Sequence, residues 1–115
     1  MPDKPLAWLG TARRDVRAFP ADTRRRCGFQ LRKVQLGLDP DDWKPMTSVG
    51  PGVREIRIRT ELAHRVFYVA TFEEAVYVLH AFEKRTPKTA THDVQLARDR
   101  YRTLVKKRAD DAKKK

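Results

Sequence analysis

The chain has 115 residues, with 26 Lys plus Arg against 15 Asp plus Glu, for a formal net charge of +11. That length predicts one domain. The short apolar runs exclude a membrane helix of ~20 residues, and Met1 to Pro5 lacks the pattern of a secretory signal. A lone cysteine, Cys27, excludes an internal disulfide and a Cys-based zinc site, so a cytoplasmic protein is expected. The last ten residues carry a net +4 and the rest of the chain keeps +7. The surplus therefore belongs to the domain and points to a nucleic-acid partner.

Taken in chain order, residues 5–9 form a short apolar run that predicts a strand. Thr11 is placed to cap a helix over 12–19, and Pro20 to open a second over 20–36. On that second helix Cys27, Leu31, Val34 and Leu38 share a face. Gly28 in its middle is unfavourable against Ala by about 1 kcal/mol, which a close packing contact would explain. Gly37 ends the helix.

Residues 39–52 are rich in Pro, Gly and Asp and read as a long connection, with Trp43 its anchor and Lys44 able to reach a phosphate. Three strands follow, over 53–59, 65–72 and 75–82, joined by short segments that predict antiparallel hairpins. A last helix is expected over 91–106, with Thr91 as cap and Val94, Ala97, Tyr101 and Leu104 inward. The charge-dense tail 106–115 is expected to be disordered. The order predicts an α+β fold, with two N-terminal helices on one face of an antiparallel sheet, much of whose other face stays open.

On the first hairpin strand Ile56 and Ile58 alternate with Glu55, Arg57 and Arg59, so those three share the opposite face. Arg65 belongs to the next strand, His80, Phe82 and Lys84 share a parity on the third, and Arg85 and Thr86 follow it. Convergent cations suit cleavage of RNA without metal. The 2′-OH attacks the adjacent phosphate, and Arg or Lys stabilise the charge that develops. Glu55 and His80 are the available proton-transfer types, with Lys84 a third if its pKa is depressed. Phe82 or Tyr68 offers a base-stacking surface. The histidines at 64, 80 and 92 are not at metal-ligand spacing, and Gly50-Pro51-Gly52 lacks the remainder of a phosphate-binding loop.

The ordered set Trp43-Lys44-Pro45, Gly52-Val53-Arg54-Glu55-Ile56-Arg57-Ile58, Arg65-Val66-Phe67-Tyr68 and Leu79-His80-Ala81-Phe82-Glu83-Lys84-Arg85-Thr86-Pro87 resembles the phage-derived HigB-like toxins of the RelE/ParE superfamily. The resemblance covers roughly residues 5–105. It implies a RelE-like fold and the toxin of a type II toxin–antitoxin pair. Such a toxin is a ribosome-dependent mRNA endonuclease that needs no cofactor and is neutralised by a helix-turn-helix, HigA-like antitoxin. Arg57, Arg65, Lys84, Glu55 and His80 are then the catalytic candidates. Lys44, Arg54, Arg59, Phe82, Arg85 and Thr86 are the RNA-binding ones. The catalytic Tyr or His that the superfamily carries beyond the last strand has no clear counterpart. Two alternatives stay open: a ParE-like toxin acting on gyrase, and a non-catalytic nucleic-acid-binding phage protein.

Overall fold

The computed structural model describes residues 3–88 and 90–114; Met1 and Pro2, read above for a signal, and Lys115 of the tail lie outside the described residues. Eight elements occur in the order β1 (Leu6–Trp8), α1 (Ala12–Arg17), α2 (Ala21–Gln35), β2 (Trp43–Pro45), β3 (Val53–Arg59), β4 (Ala63–Val69), β5 (Val76–Glu83) and α3 (Thr91–Lys113). The fold is α+β and is consistent with the RelE-like arrangement. The five strands form one sheet in the order β1-β5-β4-β3-β2. It is mixed rather than wholly antiparallel, because β1 runs parallel to β5. The chain leaves β1 through two helices before returning to the sheet, which permits a parallel pair where a tight hairpin would not.

One face of the sheet packs on α1 and α2. Val16, Cys27, Leu31 and Val34 meet Ile56, Ile58, Val66 and Val78 there. Cys27 is a buried small apolar residue, and burial pushes its thiol up to about 12. Leu38, expected on this face, is 55% exposed, because α2 stops at Gln35 and Gly37 turns the chain at φ +83°. Among the described residues nothing approaches the position a Gly28 side chain would take, so the close contact expected there is not found.

The other face is not left open. Ala97 and Leu104 of α3, with Met46 and Val49 of the 46–52 connection, cover Val53, Phe67, Val69 and Leu79. Ala90, not Thr91, is the N-cap of α3, and the helix runs on to Lys113 through most of the segment expected to be disordered. Arg108 lies over the ring of Phe72 at 3.9 Å and pairs with Glu74, so the C-terminal part of α3 is tied to the β4–β5 connection. Trp43–Pro45, read as loop, is an edge strand paired antiparallel with β3. No described helix is long and apolar enough to cross a membrane.

Candidate functional site

Cross-strand register builds the site on the α3 side of the sheet. Lys44 lies opposite Glu55, and Glu55 opposite Phe67, which in turn pairs with His80. One step along, Arg57 lies opposite Arg65 and Arg65 opposite Phe82. Lys84 follows, its backbone N–H donating to the Ala63 carbonyl at 2.7 Å. Strict alternation from Val76 and Val78 would turn His80, Phe82 and Lys84 toward α1 and α2 instead. A bulge at Leu79 inserts one residue and reverses the parity. Arg100 of α3 donates to the Leu79 carbonyl at 2.9 Å and satisfies the backbone at the bulge.

Glu55 is fully buried. Its Oε1 accepts a hydrogen bond from Arg57 Nε at 3.2 Å, with Arg65 Nε at 3.4 Å and Lys44 Nζ at 3.9 Å. Among the described residues its Oε2 has no hydrogen-bond partner. Arg65 is 4% exposed, so it floors the site rather than standing in an open cleft. Its Nη1 donates to the His64 carbonyl at 3.1 Å, and burial lowers its pKa despite the Glu55 carboxylate. Lys84 is half-buried at the rim. Partial burial, then the positive charges of Arg65, Lys44 and Arg57, hold its ammonium below the usual range, with Glu55 opposing. The arrangement is one buried carboxylate and four cations, of which Lys44, Arg57 and Lys84 remain within reach of solvent. Its excess positive charge suits a phosphodiester.

His80 shares the face but not the cluster. Its Nε2 hydrogen-bonds Asp93 of α3 at 2.7 Å, while Nδ1 is buried without a partner among the described residues. Its ring stacks on Phe82 with centroids 5.0 Å apart, and Phe82 meets Phe67 edge-on at 5.2 Å. Burial is the main cause of a lowered His80 pKa, which Asp93 opposes. Phe82 thus packs under α3 between His80 and the cations.

Arg54, expected to contact RNA, shares the face of Ile56 and Ile58, as alternation along β3 requires. It lies on the α1–α2 side, with its guanidinium 3.9 Å from the Trp43 ring and paired to Asp39 at 3.0 Å. Tyr68 is buried on that side as well and presents no stacking surface. Arg59 is exposed at the end of β3, and Arg85 is exposed and paired with Glu83. The Thr86 hydroxyl donates to the Lys88 carbonyl at 2.6 Å. Sequence reasoning missed Asp93 as the partner of His80. The hydrophilic first turn of α3 was its only visible signal. Among the described residues no three His, Cys, Asp or Glu side chains come together as a metal site would require.

The grooves that the described residues line include two of unequal size. The larger, about 1400 Å³, runs between α3 and the β1 and β4–β5 segments, away from Glu55, and mixes Glu74 and Asp99 with Arg100 and Arg108. The smaller, about 530 Å³, lies where β3 extends past β2 and includes Arg57 in its lining. The sequence model described as Phage derived protein Gp49-like (DUF891) matches residues 14–102. The chain belongs to this family. The matched segment of this Gp49-like protein holds every residue of the Glu55 cluster, and Asp93 with His80. No curated protein matches the chain.

Proposed function

We propose that this Gp49-like protein is the toxin of a type II toxin–antitoxin pair and cuts messenger RNA on the ribosome. The observation that carries the reading is the gathering of Lys44, Arg57 and Arg65 around one buried carboxylate, with Lys84 at the rim near enough to feel their charges. Membership of a phage-derived family associated with RelE-like toxins supports it, and so does the ordered set of motifs from Trp43 to Pro87.

In this reading the ribose 2′-oxygen attacks the adjacent phosphorus as its proton passes to a base. The P–O5′ bond breaks, the 5′-oxygen takes a proton, and the products end in a 2′,3′-cyclic phosphate and a 5′-hydroxyl. Arg57 and Lys44 stabilise the phosphorane oxygens from the accessible side, and Arg65 does so from below. Lys84, at the rim with a lowered pKa, is the proton-transfer group. Glu55 is closed off by its three cations, and His80 by Phe82 and α3, so both act as positioning residues. The partner that neutralises a +11 protein is an acidic helix-turn-helix antitoxin, captured electrostatically.

The test is incubation of the purified protein with translating ribosomes and a reporter message. Cleavage with 5′-hydroxyl downstream ends is expected, along with resistance of a message carrying 2′-deoxyribose at the scissile position. Lys84→Ala should lower the rate by ~10²-fold or more, and Lys84→Arg should not restore it, since guanidinium keeps the charge but not the proton transfer. Downstream 5′-phosphates, or normal cutting of the deoxy-substituted message, would sink the mechanism.

A further inference from the structure

The 530 Å³ groove beside β3 has a composition that core packing does not require. The buried face of α2 is Thr23, Cys27, Leu31 and Val34. Phe29 lies off it and is 62% exposed, a large aromatic left in water in the middle of a helix. Arg25 and Arg26 sit four and three residues earlier, so their side chains flank the ring. Across the groove stand Arg57 and Arg59 of β3, beyond the residues that β2 pairs. Arg26 Nη1 donates to the Arg59 carbonyl at 3.1 Å and fixes the two walls together. Of the acids in the groove, Asp41 is held by Lys33 and Gln30; of the cations, Arg57 is paired with Glu55 and Arg26 with the exposed Asp22 at 3.4 Å, which leaves Arg25 and Arg59 against Asp42 among the described residues. Arg57 lines this groove and also donates to Glu55 in the cluster on the α3 side, so the two sites are continuous around the sheet edge.

We propose that this groove is a second subsite for single-stranded RNA, in which a base stacks on Phe29 and the flanking phosphates lie on Arg25, Arg26 and Arg59. A base face against an aromatic ring, with cations along the backbone, is how proteins hold single strands without reading sequence. The volume falls within the roughly 300–1,000 Å³ of small-ligand sites, enough for an ordered nucleotide. An acidic peptide would use the arginines but gains nothing particular from an exposed ring face, so RNA is the occupant the groove favours. The proposal deepens the ribonuclease reading, on which it rests for the identity of the polymer.

The experiment measures binding of a fluorescent 2′-O-methyl oligouridine, which cannot be cut by 2′-attack, to the full-length protein across a salt series. A glutamate-rich peptide serves as the parallel probe. Phe29, Arg25 and Arg26 are exposed, so the variants keep the core. Phe29→Ala should weaken RNA binding by about 5- to 150-fold with little change in salt slope, and Phe29→Trp should preserve it. The Arg25→Ala/Arg26→Ala double variant should reduce the slope of log affinity against log salt by about 1.4, two single-strand phosphate contacts. Wild-type affinity in these variants overturns the proposal, as does groove-dependent binding of the peptide but not the RNA. If Phe29-dependent RNA binding holds while no message is cut, the ribonuclease reading falls and the subsite stands. If cutting occurs but the groove variants bind like wild type, the subsite falls alone.

Discussion

Two buried charges set the behaviour of the site at the scale of single residues. Arg65 is closed in against Glu55, so removing it leaves a buried carboxylate short of a partner. Arg65→Ala should therefore cost about 3–5 kcal/mol of stability as well as activity. Urea unfolding checks this, and a loss below about 1 kcal/mol would mean that Glu55 does not depend on it. Glu55→Gln acts differently. It keeps the shape and removes the negative charge among four cations, so RNA should bind more tightly. Arg57 and Lys44 are then no longer held in place, and cutting should slow by up to about 10²-fold. Equilibrium binding and single-turnover rates that move in opposite directions are the expected signature. The faces of Glu55 and Arg57 were legible in the sequence, because alternation with Ile56 and Ile58 fixes them. The burial of Glu55 was not, because its partners Arg57, Arg65 and Lys44 come from three strands whose pairing is a long-range choice.

At the scale of elements, α3 and α2 make contrasting predictions. The chain at Gly50 passes so close to α3 that a Cβ there would lie 2.7 Å from the Tyr101 ring, whose hydroxyl donates to the Pro51 carbonyl at 3.1 Å. Gly50→Ala should push α3 off the sheet and cost about 1–3 kcal/mol. Gly28→Ala, with open space around it in the middle of α2, should instead stabilise by up to about 1 kcal/mol. Thermal melts of the two variants should move in opposite directions, and equal shifts would contradict the packing described. The strand faces and the inward face of α3 were readable from period alone. The edge strand β2 and the parallel partner of β1 were not, since three residues carry no usable pattern and pairing is a long-range choice.

The whole molecule responds to pH through two histidines on opposite faces of the sheet. His64 lies against Phe19 with ring centroids 4.4 Å apart, and His80 lies under α3 with Asp93 beside it and Arg100 and Asp15 nearby. Burial is the leading cause of a pKa below 6.5 for both. The unfolded chain then binds more protons than the folded one as pH drops below about 6.5. Stability is full above that value and is lost as pH falls toward the folded-state pKa values, with a slope of up to about 1.4 kcal/mol per pH unit for each histidine. Glu74, held at about 2 by the Arg108 hydrogen bond, is depressed from 4.5, so its contribution is full above 4.5 and fades as pH falls from there toward about 2. Urea midpoints should be level from pH 8 to 7 and fall from pH 6.5 to 5.5, and a flat profile would exclude both groups.

By itself the sequence determined which side chains share a face within the longer elements. The periods of α2, β3 and α3, the basic surplus and the one-face placement of Glu55 and Arg57 follow from local geometry, which acts over a few residues and leaves its mark in spacing. Only the tertiary structure decided which cations share a carboxylate. The bulge at Leu79 turns His80, Phe82 and Lys84 to the α3 side, Arg100 satisfies the carbonyl that the bulge exposes, and β2 brings Lys44 to Glu55. It also decided that Arg54, on the face that alternation with Ile56 already fixes, gives its charge to Trp43 and Asp39. A one-residue slip in register moves every later side chain to the other face of a sheet. Register is set by partners distant in the chain, and so no reading of a single strand contains it.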